Sequence, residues 1–548
     1  METDTTWSGE VILAQPIFVK SGATLTIDPG TIVRGQPRTA AVLPGSTAGT
    51  PGALIVTQTG TILADGDANN PIIMTTAAVD NNDDGVADDL DGNGFLDAYP
   101  GFDPATCPGA CTADATPSFL DDTPTTAPLA PLAANGRANV SLWGGLVVLG
   151  NATTNLSDIF GFGQGVKTIE GLTVPGFPAA DAIYGGAVGV ADDTDSSGSL
   201  SYISVRHAGD EIGNSNELNG VSLGGVGSGT EFHHIEVYCN FDDGIEWFGG
   251  TVNGHHLTVA FEGDDVFDLD EGYRGTNQFL LGVMPFFNAL NGATPVTYGA
   301  SSGDKGCEWD GDDNDEGADW VNFDNNGKTL PFPNANFYNI TIAGSAPSAT
   351  FNGFTNDNDG CEMRNGFAGS LNNAIIYNSG TRQGLDLAGG GAPGNTVTIN
   401  ANDGLIVANA VTCDNVAAVP AGQDEATVFG NGVRNVTCVD GVDDADFKMN
   451  ARDTSFTPTG VAGKLNASLK TMDFRPSVLN ATMADGIHPP APLEDVTYRG
   501  AFDATPAMWT EGWTAFSMAG MLAVPEPGMV QLLGAGAMGL LALARRRR

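Results

Sequence analysis

The chain has 548 residues, of which 66 are acidic and 22 basic, and its net charge is −44 at pH 7. This excess of acid excludes binding to a nucleic-acid backbone, which needs Lys and Arg, and it favours an exterior that binds cations. With 75 glycines, 41% hydrophobic and 16% charged residues, the composition is neither that of a disordered chain nor that of a coiled coil.

The N-terminal segment is a series of short strand-like runs separated by turn residues. WSGEVILAQPIFVKSGATLTIDPGTIVRGQP is followed by GALIVTQTGTILADGDANNPIIMTTA and then by SLWGGLVVLGNA. An exported chain begins with a basic region and an apolar region, and METDTTWSGEVILAQPIFV has neither. If the chain is exported, we expect that this sequence starts downstream of a signal peptide that was removed or left out.

A calcium-loop spacing follows in DNNDDGVADDLD, and an overlapping one in DLDGNGFLD. Oxygen ligands occupy positions 1, 3, 5, 9 and 12 of the first loop, and position 7 offers a backbone carbonyl. Position 12 is Asp rather than Glu and no helical pattern flanks the loops, so they resemble the calcium loops of dockerins and thrombospondin type 3 repeats. A merely acidic linker is the alternative. The expected Ca²⁺ ligands are Asp80, Asn82, Asp84, Val86, Asp88 and Asp91, then Asp89, Asn93 and Asp97.

Strand-length runs then recur along the chain: YISVRHAGDE at 202, HIEVYCNFDD at 234, HLTVAFEGDD at 256, YNITIAG at 338, NAIIYNSG at 373 and GLIVANA at 404. The second and third runs are 22 residues apart and keep several residue types in phase. Alternating runs with turn residues and no helical period predict a solenoid of stacked β coils. The fold class is therefore all-β, a β-helix in which wider intervals mark loop insertions; the resemblance described below implies that it is a right-handed parallel β-helix.

Aligning the coils stacks carboxylates at neighbouring levels. Strands lie about 4.8 Å apart, where two like charges repel by roughly 1 kcal/mol in water and about 4 kcal/mol at an effective dielectric of 20. A bound Ca²⁺ would neutralise such a ladder, and a solvated acidic edge with no specific ion is the alternative. The ladder comprises Asp210, Glu211, Asp242, Asp243, Glu246, Asp264, Asp265, Asp268, Asp270 and Glu271.

Histidines repeat with the same spacing. His233 and His234 recur as His255 and His256, and the phase of the neighbouring apolar residues places His234 and His256 on the outer face. Because no Cys completes a tetrahedral metal set, stacked polar residues are a better interpretation than a metal site.

Seven cysteines permit disulfides in an exported chain. Cys307 in DKGCEW and Cys361 in NDGCEM align with DGIEW, which places both at the inward position of Ile245 in adjacent coils. We expect a disulfide between them, with two stacked reduced cysteines as the alternative. Cys107 with Cys111, and Cys413 with Cys438, are expected to staple loops, and Cys239 is left over.

The chain ends in VPEPGMVQLLGAGAMGLLALARRRR. The apolar run is a marginal membrane span, and a basic end fits the cytoplasmic side. Pro525, Glu526 and Pro527 before this run, with Arg545, Arg546, Arg547 and Arg548 after it, resemble the PEP-CTERM sorting signal. The resemblance implies a Gram-negative bacterium, export, recognition by an exosortase, and delivery to the cell surface or extracellular matrix, with the segment kept as an anchor or removed.

Most of the chain resembles the right-handed parallel β-helix surface proteins of bacteria, through the N-terminal runs, the repeats and VTYRGAFDATPAMWTEGWTAF. The predicted organisation has a β-helix over 1–515, a linker over 516–523 and a sorting signal over 524–548. Three inserts are expected in the β-helix: a calcium-loop insert at about 80–135, an acidic insert at about 304–335 and a disulfide-loop insert at about 410–470.

These features together predict a calcium-stabilised structural or adhesive protein beside extracellular polysaccharide. One alternative is a lyase or hydrolase of acidic polysaccharide, with Ca²⁺ on a uronate and Arg206, Arg274, Arg364 or Arg382 as base. Another is a sugar-binding module that uses Trp247, Phe248 and Trp309.

Overall fold

The structure of the protein is a computed structural model. The described residues are 1–38, 50–80, 87, 96, 119–121, 124–125, 129, 139–156, 165–170, 172, 178–187, 189–210, 218–284, 303–311, 334–344, 359–364, 367, 369–377, 384–386, 407–413, 437–438, 473–475, 486–503, 507–520 and 522.

Twenty-five strands make up most of the described secondary structure. In chain order they are β1 Thr5–Trp7, β2 Glu10–Leu13, β3 Ile17–Val19, β4 Thr24–Ile27, β5 Ile32–Gly35, β6 Ala53–Val56, β7 Thr61–Asp65, β8 Ile72–Thr76, β9 Gly145–Leu149, β10 Lys167–Thr168, β11 Ile183–Tyr184, β12 Gly198–Arg206, β13 Val221–Gly224, β14 Glu231–Tyr238, β15 Ile245–Phe248, β16 Asn253–Ala260, β17 Phe267–Asp270, β18 Thr276–Val283, β19 Cys307–Asp310, β20 Asn336–Ala343, β21 Cys361–Arg364, β22 Ser370–Tyr377, β23 Leu385–Asp386, β24 Val407–Cys413 and β25 Thr437–Cys438.

The strands form two long parallel sheets that wind around one core. Sheet A contains 14 of the described strands and includes β12, β14, β16, β18, β20 and β22 side by side. Sheet B contains nine, from β3 through β13, β15, β17, β19 and β21 to β23. From β12 to β23, each coil gives one long strand to sheet A and one short strand to sheet B. The predicted parallel β-helix is confirmed.

The register between coils follows the spacing read from the sequence. His233 pairs with His255, and Ile203 pairs with Ile235, as the aligned runs predict. The inward residues of both sheets, such as Ile235, Leu257 and Trp247, join a single buried apolar cluster. Burial of this stacked apolar surface is the main favourable contribution to folding.

One coil is missing from the sequence interpretation. The wide interval between the runs at 256 and 338 contains β18, which pairs Leu257 with Leu280 on one side and Leu280 with Ile340 on the other. Its sequence TNQFLLGV lacks the turn signature of the neighbouring coils, so an insertion was expected there instead. The last predicted run, GLIVANA at 404, is described from Val407 onward, where it forms β24.

A bend divides each long strand of sheet A. At that point a single residue adopts a positive φ in successive coils, and the register skips it. The residues of this bend column are Tyr202, His234, His256, Phe279, Asn339 and Asn373, with φ between 49° and 61°. Left-handed backbone is costly for most residues and several-fold enriched in Asn and His, and here it places two consecutive side chains outside the core.

Two covering segments close the outer faces of the sheets. The hairpin of β10 and β11 packs on sheet B, where Tyr184 contacts Phe248 and buries an apolar cluster. On sheet A, residues 486–503 and 507–522 bury a second cluster that includes Tyr238 and Phe516.

The C-terminal covering segment contains the helix α1, Ala515–Met518, which begins at the N-cap Thr514. The described part of the predicted linker 516–523 is therefore packed, and Phe516 is fully buried. Within the described residues no helix has the length and apolar character needed to cross a bilayer.

The two cysteines with a predicted disulfide lie in adjacent coils, because β19 pairs with β21 in the expected register. Both are fully buried free thiols, which corresponds to the alternative of stacked reduced cysteines. In-register side chains start about 4.8 Å apart, whereas a disulfide needs Cβ atoms about 3.8 Å apart. The strand Cys307–Asp310 lies within the range of about 304–335 that was predicted to be an insert.

Candidate functional site

Polar side chains form a ladder at the turn that leads into sheet B. The backbone N–H of Asp243 donates to Oδ1 of Asn219 at 3.2 Å, and that of Asp265 donates to Oδ1 of Asp243 at 2.9 Å. The N–H of Lys305 continues the pattern to Oδ1 of Asp265. We call Asn219, Asp243, Asp265 and Lys305 the turn ladder. Its members hold each turn in register with the next.

A second line of acids follows on the outer face of sheet B. Glu246 pairs with Asp268, Asp268 with Glu308, and Glu308 with Glu362. We call these four residues the acidic column, and Ser222 precedes them in register with Glu246. Because successive strand residues alternate between faces, the residues beside them, Trp247 and Trp309, point into the core.

The two lines converge on a buried triad. Oxygens of Asp243, Glu246 and Asp268 lie within 4.8 Å of one another, and all three side chains are buried. Asp264 belongs to two further groups of the same kind, one with Asp242 and Asp243, and one with Asp265 and Asp304. These clusters have the oxygen-rich composition that can hold a metal ion.

Burial and neighbouring charge oppose ionisation of the triad. Burial raises the pKa of Asp243 well above its ordinary value, and Asp242 and Asp268 add to the effect. Burial likewise raises the pKa of Glu246, with contributions from Glu170 and Asp268. A cation between the oxygens would remove most of this penalty, because it replaces like-charge repulsion by attraction.

Lys305 neutralises the later part of the clusters. Its Nζ lies 2.6 Å from Asp304, 2.9 Å from Glu308 and 3.6 Å from Glu362. Burial lowers the pKa of Lys305, but the surrounding carboxylates outweigh it and raise the pKa above its usual value. The ammonium is therefore charged and held. Asp243 and Glu246 have no comparable Lys or Arg partner among the described residues.

Other members of the predicted ladder are bound by the protein itself. Asp210 accepts from Arg38 and from Ser141, each at 3.1 Å. Glu271 forms an ion pair of 3.0 Å with Lys167 and accepts from the hydroxyl of Tyr184. Neither residue belongs to the groups of three or more candidate metal ligands found among the described residues.

Several predicted sites lie wholly or partly outside the described residues. Glu211 is outside them, and Asp270 is in register with Phe248, next to the column. Of the predicted calcium ligands only Asp80 is described, and it is buried. Cys413 and Cys438 are backbone register partners. The remaining loop ligands Asn82, Asp84, Val86, Asp88, Asp89, Asp91, Asn93 and Asp97, together with Cys107, Cys111 and the tail residues Pro525, Glu526, Pro527 and Arg545–Arg548, lie outside the described part.

Two candidate bases are not available for proton transfer. Arg206 is fully buried and donates from Nε to Oγ of Ser204 and from Nη1 to a backbone carbonyl. Arg274 forms two hydrogen bonds of 3.0 Å with Asp193. The side chain of Arg364 and all of Arg382 lie outside the described residues.

The aromatic residues proposed for sugar binding are in the interior. Trp247 and Trp309 are fully buried inward residues of sheet B. Phe248 faces outward, but Tyr184 covers it. The prediction of an exposed aromatic platform from these three residues is wrong, because the phase of sheet B places both Trp side chains in the core.

Sequence reasoning missed several residues of the site, namely Asn219, Ser222, Asp304, Lys305, Glu308 and Glu362. A signal was present for two of them. The repeated patterns GIEW, GCEW and GCEM carry a Glu at one position, and the register shows that Glu308 and Glu362 continue the line begun by Glu246 and Asp268.

Comparison with known proteins gives one family. The family model described as a pectate-lyase-like β-helix domain matches residues 1–86 and 125–450, which is more than half of the chain. No curated protein matches the sequence. The matched ranges include the strands that carry the turn ladder and the acidic column.

Proposed function

The chain belongs to the pectate-lyase-like β-helix family, and from that premise we propose that it is an exported, polysaccharide-associated protein with a structural or adhesive role. Calcium ions bind to its acidic face in this proposal. The observation that carries it is the buried triad Asp243, Glu246 and Asp268, whose oxygens lie within 4.8 Å of one another.

The donor set of the triad fits Ca²⁺. This ion takes six to eight oxygen ligands in flexible geometry, and the triad supplies carboxylates from two successive coils. Oγ of Ser222 is a further oxygen in register with Glu246, and it is buried without a hydrogen-bond partner. An unsatisfied buried hydroxyl costs about 1–3 kcal/mol, so a ligand at this position would remove a penalty.

Charge explains why calcium would govern the association. A chain with a net charge of −44 and a polysaccharide that carries uronates repel each other at neutral pH. Divalent cations held at the acidic face could bridge protein carboxylates and uronates. Adhesion to acidic polysaccharide would then require calcium and weaken on chelation.

Cleavage of the polysaccharide is the second candidate, and the family description favours it. A lyase needs a base near the bound uronate. Lys305, a basic residue within the clusters, is held protonated by four carboxylates, and Arg206 is buried. These observations support binding over catalysis at this face.

The proposal that the protein is exported rests on the C-terminal segment 524–548. Pro525–Pro527 and Arg545–Arg548 frame an apolar segment of the kind that a sorting enzyme removes. Intact mass measurement of the protein from its native host tests this, and the expected species lacks Arg548. Retention of the whole tail on exported protein would contradict processing.

Calcium-dependent binding to polygalacturonate tests the main proposal. The full chain should co-sediment with the polymer in Ca²⁺ and not in a chelator, and it should release no unsaturated product absorbing at 235 nm. The double variant Glu246→Gln with Asp268→Asn should lose this dependence, whereas the exposed control Asp28→Asn should keep it. Product release would favour the lyase, and binding that ignores Ca²⁺ would refute the bridging role.

A further inference from the structure

Two pairs of adjacent histidines lie on the outer face of sheet A. His234 and His256 occupy the bend column with φ of 52° and 58°. In a regular strand, successive side chains alternate between the core and the outer face. The bend interrupts this alternation, so His233 and His234 both lie outside the core, between the buried Phe232 and Ile235. The same arrangement repeats one coil later, since His233 pairs with His255.

The four imidazoles form a compact block. His233 stacks on His255 with ring centroids 4.6 Å apart, and His234 stacks on His256 at 4.5 Å. Within each pair the two Nδ1 atoms are close, at 2.9 Å in the first coil and 2.8 Å in the second. The expected stacking of these side chains is confirmed.

Aromatic neighbours hold the block in place. Tyr202 stacks on His234 at 4.2 Å, and Trp513 from the C-terminal covering segment contacts the same ring at 5.9 Å. Phe279 and Trp509 contact His256 at 4.8 and 5.0 Å. These contacts restrict the ring orientations, which lowers the entropy cost of fixing them around a ligand.

We propose that His233, His234 and His255, with His256 as an additional ligand, form a binding site for a divalent transition-metal ion with a preference for nitrogen ligands. Ligand nitrogens of the first three residues lie within 4.8 Å of one another. Imidazole suits copper, nickel and zinc, whereas calcium prefers oxygen. The site is therefore chemically distinct from the acidic face.

The choice among nitrogen-preferring ions follows from ligand chemistry. The two Nδ1 atoms of each pair lie at hydrogen-bond distance, 2.9 and 2.8 Å, and all four ligands are imidazoles, which suit copper, nickel and zinc. Among divalent ions Cu²⁺ binds such ligands most tightly.

Solvent reaches the site from one side. A pocket of about 460 Å³ opens beside His255 and His256, and its far wall is the segment Pro490–Glu494. His255 is exposed, so an ion enters without opening the core. His255 and His256 line this pocket, so water reaches the block from that side.

Burial and neighbouring imidazoles keep the block neutral. Burial lowers the pKa of His234 to about 3 and that of His255 to about 4, and adjacent histidines contribute in the same direction. In each Nδ1 contact of two neutral rings, one ring donates and the other accepts. Metal binding then needs the donating ring to move its proton to Nε2, with no net loss of a proton.

Copper titration of the full chain, made without a polyhistidine tag, tests the proposal. Calorimetry and electron paramagnetic resonance should show a Cu²⁺ site with nitrogen ligands that persists in millimolar Ca²⁺. His255→Gln and His233→Gln should each weaken Cu²⁺ binding at least tenfold. The matched control is His488→Gln, because His488 is an exposed histidine paired with Asp495 outside the block, and it should bind as the wild type does.

Thermal unfolding of each variant shows whether the fold is intact. If a variant at His233 or His255 unfolds, His234→Asn replaces it, because Asn tolerates the positive φ of the bend. Two results would overturn the site. One is unchanged Cu²⁺ affinity in a folded block variant. The other is a resonance spectrum with oxygen ligands alone, which would assign the copper to the carboxylates.

Discussion

The backbone N–H of Asp265 donates a hydrogen bond of 2.9 Å to Oδ1 of Asp243, one coil earlier. In the preceding coil, Oδ1 of Asn219 accepts the equivalent hydrogen bond from the backbone N–H of Asp243 at 3.2 Å. An amide oxygen thus serves the turn as well as a carboxylate does, so the charge of Asp243 is not required for the register of the coils.

Asp243→Asn should separate the role of Asp243 in the turn hydrogen bond from its proposed role as a calcium ligand. The turn hydrogen bond is kept, so thermal stability in a chelator should be unchanged or higher, because a buried carboxyl is removed. Saturating Ca²⁺ at 100 times its Kd stabilises a single site by about 2.7 kcal/mol, and the variant should lose at least half of that gain. Calorimetric melting with and without Ca²⁺ measures both effects, with Asp28→Asn as the control. An undiminished calcium shift in Asp243→Asn would exclude this carboxylate as a ligand.

Cys307 and Cys361 should remain unlinked. The strands that carry them pair in register, and both cysteines are buried free thiols. Peptide mapping under non-reducing conditions should find each one free after alkylation of the unfolded chain. Recovery of a joined Cys307–Cys361 peptide would contradict this prediction.

Cys307→Ser tests the apolar setting of the same pair. It places a hydroxyl in the core and should lower the free energy of unfolding by about 1–3 kcal/mol. Cys307→Ala provides the control that removes sulfur without adding polarity, and denaturant unfolding measures both variants. Equal stability of the serine and alanine variants would mean that the hydroxyl finds a partner.

His207 should make the fold sensitive to mild acid. Burial lowers its pKa to about 4, and the opposing effects of Asp121 and of the Asn139 carbonyl are weaker. Between pH of about 6.5 and 4 the unfolded chain binds a proton at this residue that the folded chain does not, so stability falls as the pH falls. At pH 5 the loss is about 2 kcal/mol.

His207→Asn should remove that part of the acid sensitivity, because Asn tolerates the φ of 61° at this position. Denaturant unfolding at about pH 7 and pH 5 measures how much the free energy of unfolding falls with pH in each protein. Buried carboxylates with raised pKa act in the opposite direction, but they do so equally in both proteins. His488→Gln should show the same pH dependence of the unfolding free energy as the wild type. If His207→Asn also shows it, His207 is not the source of the acid sensitivity.

Asn373 should anchor the C-terminal covering segment. Its side chain donates to the carbonyl of Ile487 and accepts from the N–H of the same residue, at 2.9 and 2.8 Å. Asn373→Ala loses both bonds and adds strain at a φ of 54°, so it should destabilise by about 2–4 kcal/mol. Asn373→Gly loses the bonds without the strain and should cost less.

Hydrogen exchange localises the effect of these two variants. Amides of 486–500 should exchange faster, while those of β14 and β16 stay protected, because the segment can open without the core. Uniform acceleration across both regions would mean that the segment and the coils unfold together.

The fold was predictable because the sequence repeats its own pattern. A 22-residue offset relates HIEV to HLTV and fixed the register that His233 and His255 adopt. The offset also placed Asp243 against Asp265 and Glu246 against Asp268. Where the offset changes, as at β18, the strand was missed, because its polar positions carry different residues.

The contacts that decide the site were not predictable from spacing. Asp210 and Glu271 belong to the pattern, but Arg38 and Lys167 come from distant parts of the chain to neutralise them. Lys305 was overlooked for a related reason. An isolated lysine within an acidic stretch has no spacing signal, and its four carboxylate neighbours come from three coils.

The 22-residue coil between His233 and His255 has a consequence for how the molecule can vary. Residues 234–255 make up one complete turn of the solenoid, since His255 stands where His233 stands one level below. Deletion of this 22-residue unit would join His233 to His256, as it is now joined to His234, and would shorten the solenoid by about 4.8 Å. Side chains that face the core would still face the core. Duplication would lengthen the solenoid by the same step and repeat two histidines and four acidic residues, among them Asp243 and Glu246, so the histidine block and the acidic column would each grow by one level.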